Sequence, residues 1–304
     1  MINSKHWLVA IDLTRMDEVL VGYTAFLAKF IKPDTITFLH IIESGPTALD
    51  IIEQFPELET KDEFEKIIRD EINELVDNHF DDKPPEIRTV IKEGRATDQI
   101  IDVVNSLEPD LLLMGRKVGF VGEGVIPKQI LKYVPVSILF VPENCRYSLK
   151  KALVPVDFSE QSAKGIKTAL ELVKPEGGEV TAQHIYQYRA QFFPYMLSEE
   201  EKKKVDREIE KKKENFIGKF DIPSGVEFKL SRHSDGKLAD TVYSEVIGQQ
   251  SDILIVASKV KKLPNLMRHN FTDKMVNYSF GIPVLIQKNR ERYQKFLQSV
   301  FGNS

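Results

Sequence analysis

The sequence predicts a tandem of two doubly wound α/β domains, each a parallel five-stranded sheet with helices on both faces. Three observations carry the prediction. The chain has 304 residues, long for one domain and suited to two of about 150. A strand-and-turn pattern returns about 145 residues on: Trp7-Leu-Val-Ala-Ile-Asp12-Leu-Thr14 reappears as Lys151-Ala-Leu-Val-Pro-Val-Asp157-Phe-Ser159. Short Val/Ile/Leu runs alternate with amphipathic stretches, as expected of parallel strands buried on both faces and joined by crossover helices.

The elements follow in order. The first strand ends in Asp12-Leu-Thr14, an Asp-x-Thr that opens a helix, and the stripe Val19, Leu20, Tyr23, Phe26, Leu27 and Phe30 gives that helix an inward face. The next strand, Thr35 to Ile41, matches Glu179 to Ile185, which puts His40 and His184 near equivalent strand ends. A second helical stripe runs through Phe64, Ile67, Ile68, Ile72, Leu75 and Val76, interrupted by Glu71. Gly94 and Asp98 ahead of Ile100, Ile101 and Val104 correspond to Gly236 and Asp240 ahead of Val242 and Val246. Pro109 to Gly115 then matches Ser251 to Ala257, and Ser137 to Val141 matches Pro283 to Gln287, implying five strands in each half.

Pro142 to Lys150 reads as a polar linker, so the expected domains are 1–145 and 149–290, with a helical extension over 291–304. Within the second domain, Ser198 to Lys219 carries Glu199, Glu200 and Glu208 four residues ahead of Lys203, Lys204 and Lys212, the spacing of surface ion pairs on a helix. Val205, Ile209, Phe216 and Ile217 supply its inward side. Arg290 to Phe301 is expected to form the closing helix.

Composition narrows the class. An apolar fraction of 42% with 29% charged residues is that of a folded globular chain. The net charge of −4 argues against general nucleic-acid binding. Its distribution is uneven: Met1 to Arg146 holds 16 Lys and Arg against 26 Asp and Glu, a net −10, and the remainder is +6. Opposite charge suits docking of the halves or, for the basic half, an anionic partner. The single cysteine, Cys145, cannot form an internal disulfide, which suits a reducing compartment and a cytoplasmic setting. No apolar run approaches the roughly 18 residues of a membrane span, and Met1 to Thr14 lacks the regions of a signal peptide.

In open parallel sheets, ligands sit beyond the carboxyl ends of the strands. The candidates are therefore Asp12 and Thr14, with Asp157 and Ser159 as their repeat. Two readings stand: helix capping, where these side chains accept the free amides of a first turn, or a rim that contacts a nucleotide. A second candidate is Gly115-Arg-Lys-Val-Gly119-Phe-Val-Gly122-Glu-Gly124, whose glycines allow backbone amides to approach a phosphate ahead of a helix, although Glu123 would repel one. In the second half, Lys259, Lys261, Lys262, Arg268 and His269 form a basic cluster without those glycines. The chain has no phosphate loop of the Gly-x4-Gly-Lys form, no His-Glu-x2-His helix and no nucleophile elbow. No metal site and no catalytic constellation is expected.

The openings Val-Ala-Ile-Asp12-x-Thr14 and Val-Pro-Val-Asp157-x-Ser159, the ends Leu-His40-Ile41 and Gln-His184-Ile185, and the closing strands resemble the universal stress protein family, twice over nearly the whole chain. The resemblance implies two Rossmann-like sheets of the adenine nucleotide alpha hydrolase type, of order 3-2-1-4-5, paired through their last strands, Ser137 to Val141 and Pro283 to Gln287. A homodimer is the further assembly it allows. Family members that bind ATP cradle it with a Gly-x2-Gly-x9-Gly-Ser/Thr loop. Here Gly115 to Gly124 spans nine positions where the motif needs thirteen, and Val125 replaces the hydroxyl residue. In the second half, Ala257, Val260, Asn270 and Phe271 stand at the motif positions. The expectation is a stress-response regulator that works through contact with a protein partner, without a cofactor. The alternative is a switch binding ATP with magnesium in the first half through Asp12, Thr14, Ile41, Gly115, Gly119, Gly122 and Gly124, with Asp157, Ser159 and Ile185 as the degenerate equivalent.

Overall fold

A computed structural model of the chain describes residues 5–43, 61–81, 83–116, 125–188, 197–233, 238–258, 271–278 and 280–291. The chain groups into two compact units, one comprising Ser148–Lys259 and the other Ile2–Tyr147 with Val260–Ser304.

The first repeat contributes β1 (His6–Ile11), β2 (Thr35–Ile42), β3 (Glu86–Glu93), β4 (Leu111–Arg116) and β5 (Ser137–Pro142). They run parallel in the order β3-β2-β1-β4-β5, the expected 3-2-1-4-5. Trp7, Leu8, Val9, Phe38, Leu112 and Leu113 are fully buried, as central parallel strands demand. Each such side chain contributes about 2 kcal/mol by leaving water. The helices are α1 (Met16–Ile31), α2 (Lys61–Asp77), α3 (Ala96–Leu107) and α4 (Val125–Tyr133). α1 buries far more than one stripe: Gly22, Thr24, Ala25 and Ala28 join Leu20, Tyr23 and Leu27 out of solvent. On α2 the stripe narrows to Ile68, Ile72 and Val76, while Ile67, read from the sequence as inward, is 49% exposed. Ile67 lies one position off the row spaced by four that the sheet covers.

The second unit holds β6 (Lys151–Val156), α5 (Glu160–Val173), β7 (Glu179–Tyr186), α6 (Glu199–Phe220), β8 (Val226–Arg232), α7 (Leu238–Gly248) and β9 (Ile253–Ala257). Its strands are parallel in the order β8-β7-β6-β9. α6 begins at a capping box in which Ser198 and Glu201 satisfy each other's backbone amides, and it buries Ile209 and Phe216. After it come α8 (Phe271–Asn277) and β10 (Val284–Gln287). β10 belongs to the unit of the first repeat and pairs antiparallel with β5, Leu285 opposite Leu139.

One device fixes the start of the first strand in both repeats. The Asp110 carboxylate accepts from the amides of Lys5 at 2.7 Å and His6 at 3.0 Å. Asp252 does the same for Lys150 at 2.9 Å and Lys151 at 3.0 Å, and also takes the Ser148 hydroxyl at 3.0 Å. The aspartate that opens the Asp-Leu-Leu-Leu and Asp-Ile-Leu-Ile strands is thus a latch on the neighbouring strand.

Candidate functional site

The carboxyl ends of β1, β2 and β4 place Asp12, His40, Ile41, Gly115 and Arg116 at one edge of the first sheet. Asp12 and Thr14 are exposed, and the Thr14 hydroxyl donates to Asp12 Oδ1 at 2.6 Å. Between them Leu13 has φ 56°, a left-handed conformation uncommon for a residue with a branched side chain. Asp17, unremarked in the sequence because acidic residues are ordinary in a first helical turn, holds this loop. Its buried carboxylate accepts the amides of Leu13 at 2.6 Å and Asp12 at 3.1 Å. Burial and the adjacent Asp12 charge push its pKa up to about 7, against the pull of these amide donors.

The second repeat holds the same turn with a serine, Ser162, where the first has Asp17. Ser159 caps α5 in a capping box with Ser162, and Asp157 Oδ1 accepts from the hydroxyls of Ser159 at 2.6 Å and Ser162 at 3.1 Å. Ser159 is thus a helix cap, and Asp157 braces it. In the first repeat no side chain caps α1 from its N-cap residue, Arg15, and Asp17 ties the loop from inside the helix instead. Ser162 occupies the position that Asp17 holds in the first repeat.

The paired histidines are staples. With Nδ1 protonated, His40 donates to the Ile11 carbonyl at 3.3 Å and His184 to that of Val156 at 2.8 Å, tying the second strand to the end of the first. Burial lowers both pKa values, so the rings are neutral near pH 7. Among the described residues no cluster of His, Cys, Asp and Glu is arranged to hold a metal ion.

Gly115 has a packing reason: a Cβ there would come within 2.6 Å of the Met16 Cγ, so the glycine admits the first turn of α1 against β4. Arg116 follows it at the strand end, where burial lowers its pKa. Gly119, Gly122 and Gly124 lie outside the described residues, as do Val260, Asn270 and the basic cluster from Lys259 to His269.

At the equivalent edge of the second sheet, Phe158 replaces Leu13 and keeps the left-handed backbone, φ 61°. Its ring stacks on His184 at 4.1 Å and tilts against Phe216 of α6 at 5.5 Å. The neighbouring Ile185 is half-buried. Further along the same face, the hydroxyls of Tyr186 and Tyr188 both donate to Asp206 of α6 at 2.8 Å, holding that carboxyl below its ordinary range. Arg232 lies 5.7 Å from the Tyr188 ring. Rings and a polar brace from α6 thus cover the end of β7. The sequence signal was present in Phe158, Tyr186 and Tyr188, but nothing local says that a distant helix meets them.

No helix among the described residues is long and apolar enough to cross a membrane. The model of the universal stress protein family matches residues 3–142 and again 148–288. Among solved structures, a universal stress protein from Archaeoglobus fulgidus DSM 4304 is 18% identical with a TM-score of 0.64, covering 94% of this chain and 99% of its own. A structure described as a universal stress protein from Pseudomonas aeruginosa UCBPP-PA14 is 9% identical, with a TM-score of 0.68 and 98% of both chains covered. At these identities the likeness is one of fold. No curated protein matches the sequence.

Proposed function

The chain belongs to the universal stress protein family, and from that premise we propose that it is a stress-response regulator acting through protein contacts, without ATP held in the family's usual mode. The observation that carries the reading is the ring of Phe158 on His184. It occupies the strand-end crevice of the second repeat with the chain's own side chains, so a base entering there would have to displace an aromatic contact worth about 1 kcal/mol. The loop departures from the Gly-x2-Gly-x9-Gly-Ser/Thr pattern point the same way in both halves.

A second reading rests on a specific difference between the repeats. In the first, Leu13 stands where Phe158 does, and Asp12 and Thr14 are open to solvent. This edge is the place for the alternative, a nucleotide switch using ATP with magnesium. Thermal unfolding with increasing magnesium-ATP separates the two. A ligand at a hundred times its Kd stabilises the fold by about 2.7 kcal/mol. The leading reading expects no rise in Tm at millimolar nucleotide. A saturable rise that Asp12→Ala abolishes would replace it with the switch.

A further inference from the structure

The tail of the second repeat reaches the first through more than a strand pair. Immediately after β10, the Lys288 amide donates to the Ser137 hydroxyl at 3.2 Å. Its side chain is buried, and the ammonium donates to the carbonyls of Leu131, at 2.7 Å, and Val134, at the C-terminal end of α4. Two residues on, Arg290 makes the matching contact at the end of α3. It donates to the Glu108 carbonyl at 3.3 Å and pairs with the Glu108 carboxylate at 2.9 Å. Glu108 is the left-handed C-cap of that helix. In addition, α8 packs against α4.

The last carbonyls of a helix have no partner within it and carry the negative end of the macrodipole, about half a charge. A buried ammonium persists only where donors and acceptors are matched. Lys288 and Arg290, just past the end of β10, thus each bring a cation to one of two helix ends.

We infer that Val284 to Arg290 is a charged strap: the β5 edge and the C-termini of α3 and α4 form a receptor surface on the first repeat, and β10 with the Lys-x-Arg that follows it is the partner it fits. Lys288 is its positioning residue. α4 follows directly on residues 117–124, so the strap anchors the helix behind the glycine-rich segment from the end opposite that segment. The first repeat is in this sense completed by residues written in the second.

Hydrogen–deuterium exchange on the full chain tests the strap. In Lys288→Met, amides over 129–141 should exchange at least about tenfold faster, the effect of losing the ammonium's two charge-assisted hydrogen bonds. Amides of β6, β7 and β8 should keep their wild-type rates, and Lys288→Arg should recover part of the protection. Arg290→Met removes a half-exposed side chain that a folded protein tolerates, and should accelerate exchange at the end of α3 alone. Wild-type rates over 129–141 in Lys288→Met would overturn the strap. So would equal acceleration in both units, which would make Lys288 a general stability residue. If Lys288→Met does not fold, an unchanged α3 end in Arg290→Met overturns it independently.

Discussion

Asp17 is a residue whose chemistry departs from its ordinary state in the pH range where proteins work. Its carboxyl is buried beside Asp12, with its pKa raised to about 7 from 3.8. A folded-state value above the unfolded one means that the native state binds the extra proton between those two values. Its favourable contribution is complete below the unfolded value and is lost as pH rises through about 7. Wild-type stability relative to Asp17→Asn should therefore fall between pH 4 and 8, by a total of about 4 kcal/mol. Urea unfolding of both proteins across that range gives the difference directly, and parallel curves would show that folding does not shift the Asp17 pKa. The candidate residues Asp12, Thr14, Asp157 and Ser159 were legible because a strand ending in Asp-x-Thr/Ser is a local pattern. Their roles were not. Whether such an aspartate is a cap or an open rim depends on the residue three positions beyond Thr14 or Ser159, an aspartate in one repeat and a serine in the other.

Elements were readable where burial makes a continuous apolar run, as in β1, β2, β4 and β5 and their repeats. β3 is the instructive exception. Glu-Ile-Arg-Thr-Val-Ile-Lys-Glu over Glu86–Glu93 mixes polar with apolar residues and buries none of them fully, because an edge strand is covered on fewer sides. A reading keyed to buried runs does not delimit it. The strand-opening aspartates were visible as part of a repeat, yet their work as latches was not, since the amides they hold are more than a hundred residues away. Removing Asp252 leaves two backbone amides and a hydroxyl without that acceptor. Asp252→Ala should cost about 2 kcal/mol in urea unfolding, against about 1 kcal/mol for Ser159→Ala, the loss of a helix cap. Equal costs would mean that water replaces the latch.

At the scale of the molecule, the repeat spacing announced two α/β sheets, and the family resemblance pointed to the closing strands as a pairing edge. β5 and β10 do pair, antiparallel. The cations that follow β10 were not legible as anything but a polar stretch, because the carbonyls they cap are more than 150 residues earlier. The same limit applies to Phe158, whose partners come from β7 and α6. Whether either set of strand ends holds a nucleotide is tested by native mass spectrometry of freshly purified protein, before and after addition of magnesium-ATP. The expected result is the bare 34.8 kDa chain in both spectra, alone or as an integral multiple. An adenine nucleotide retained in stoichiometric amount would overturn that expectation, and its loss in Asp12→Ala would assign the first repeat to nucleotide binding.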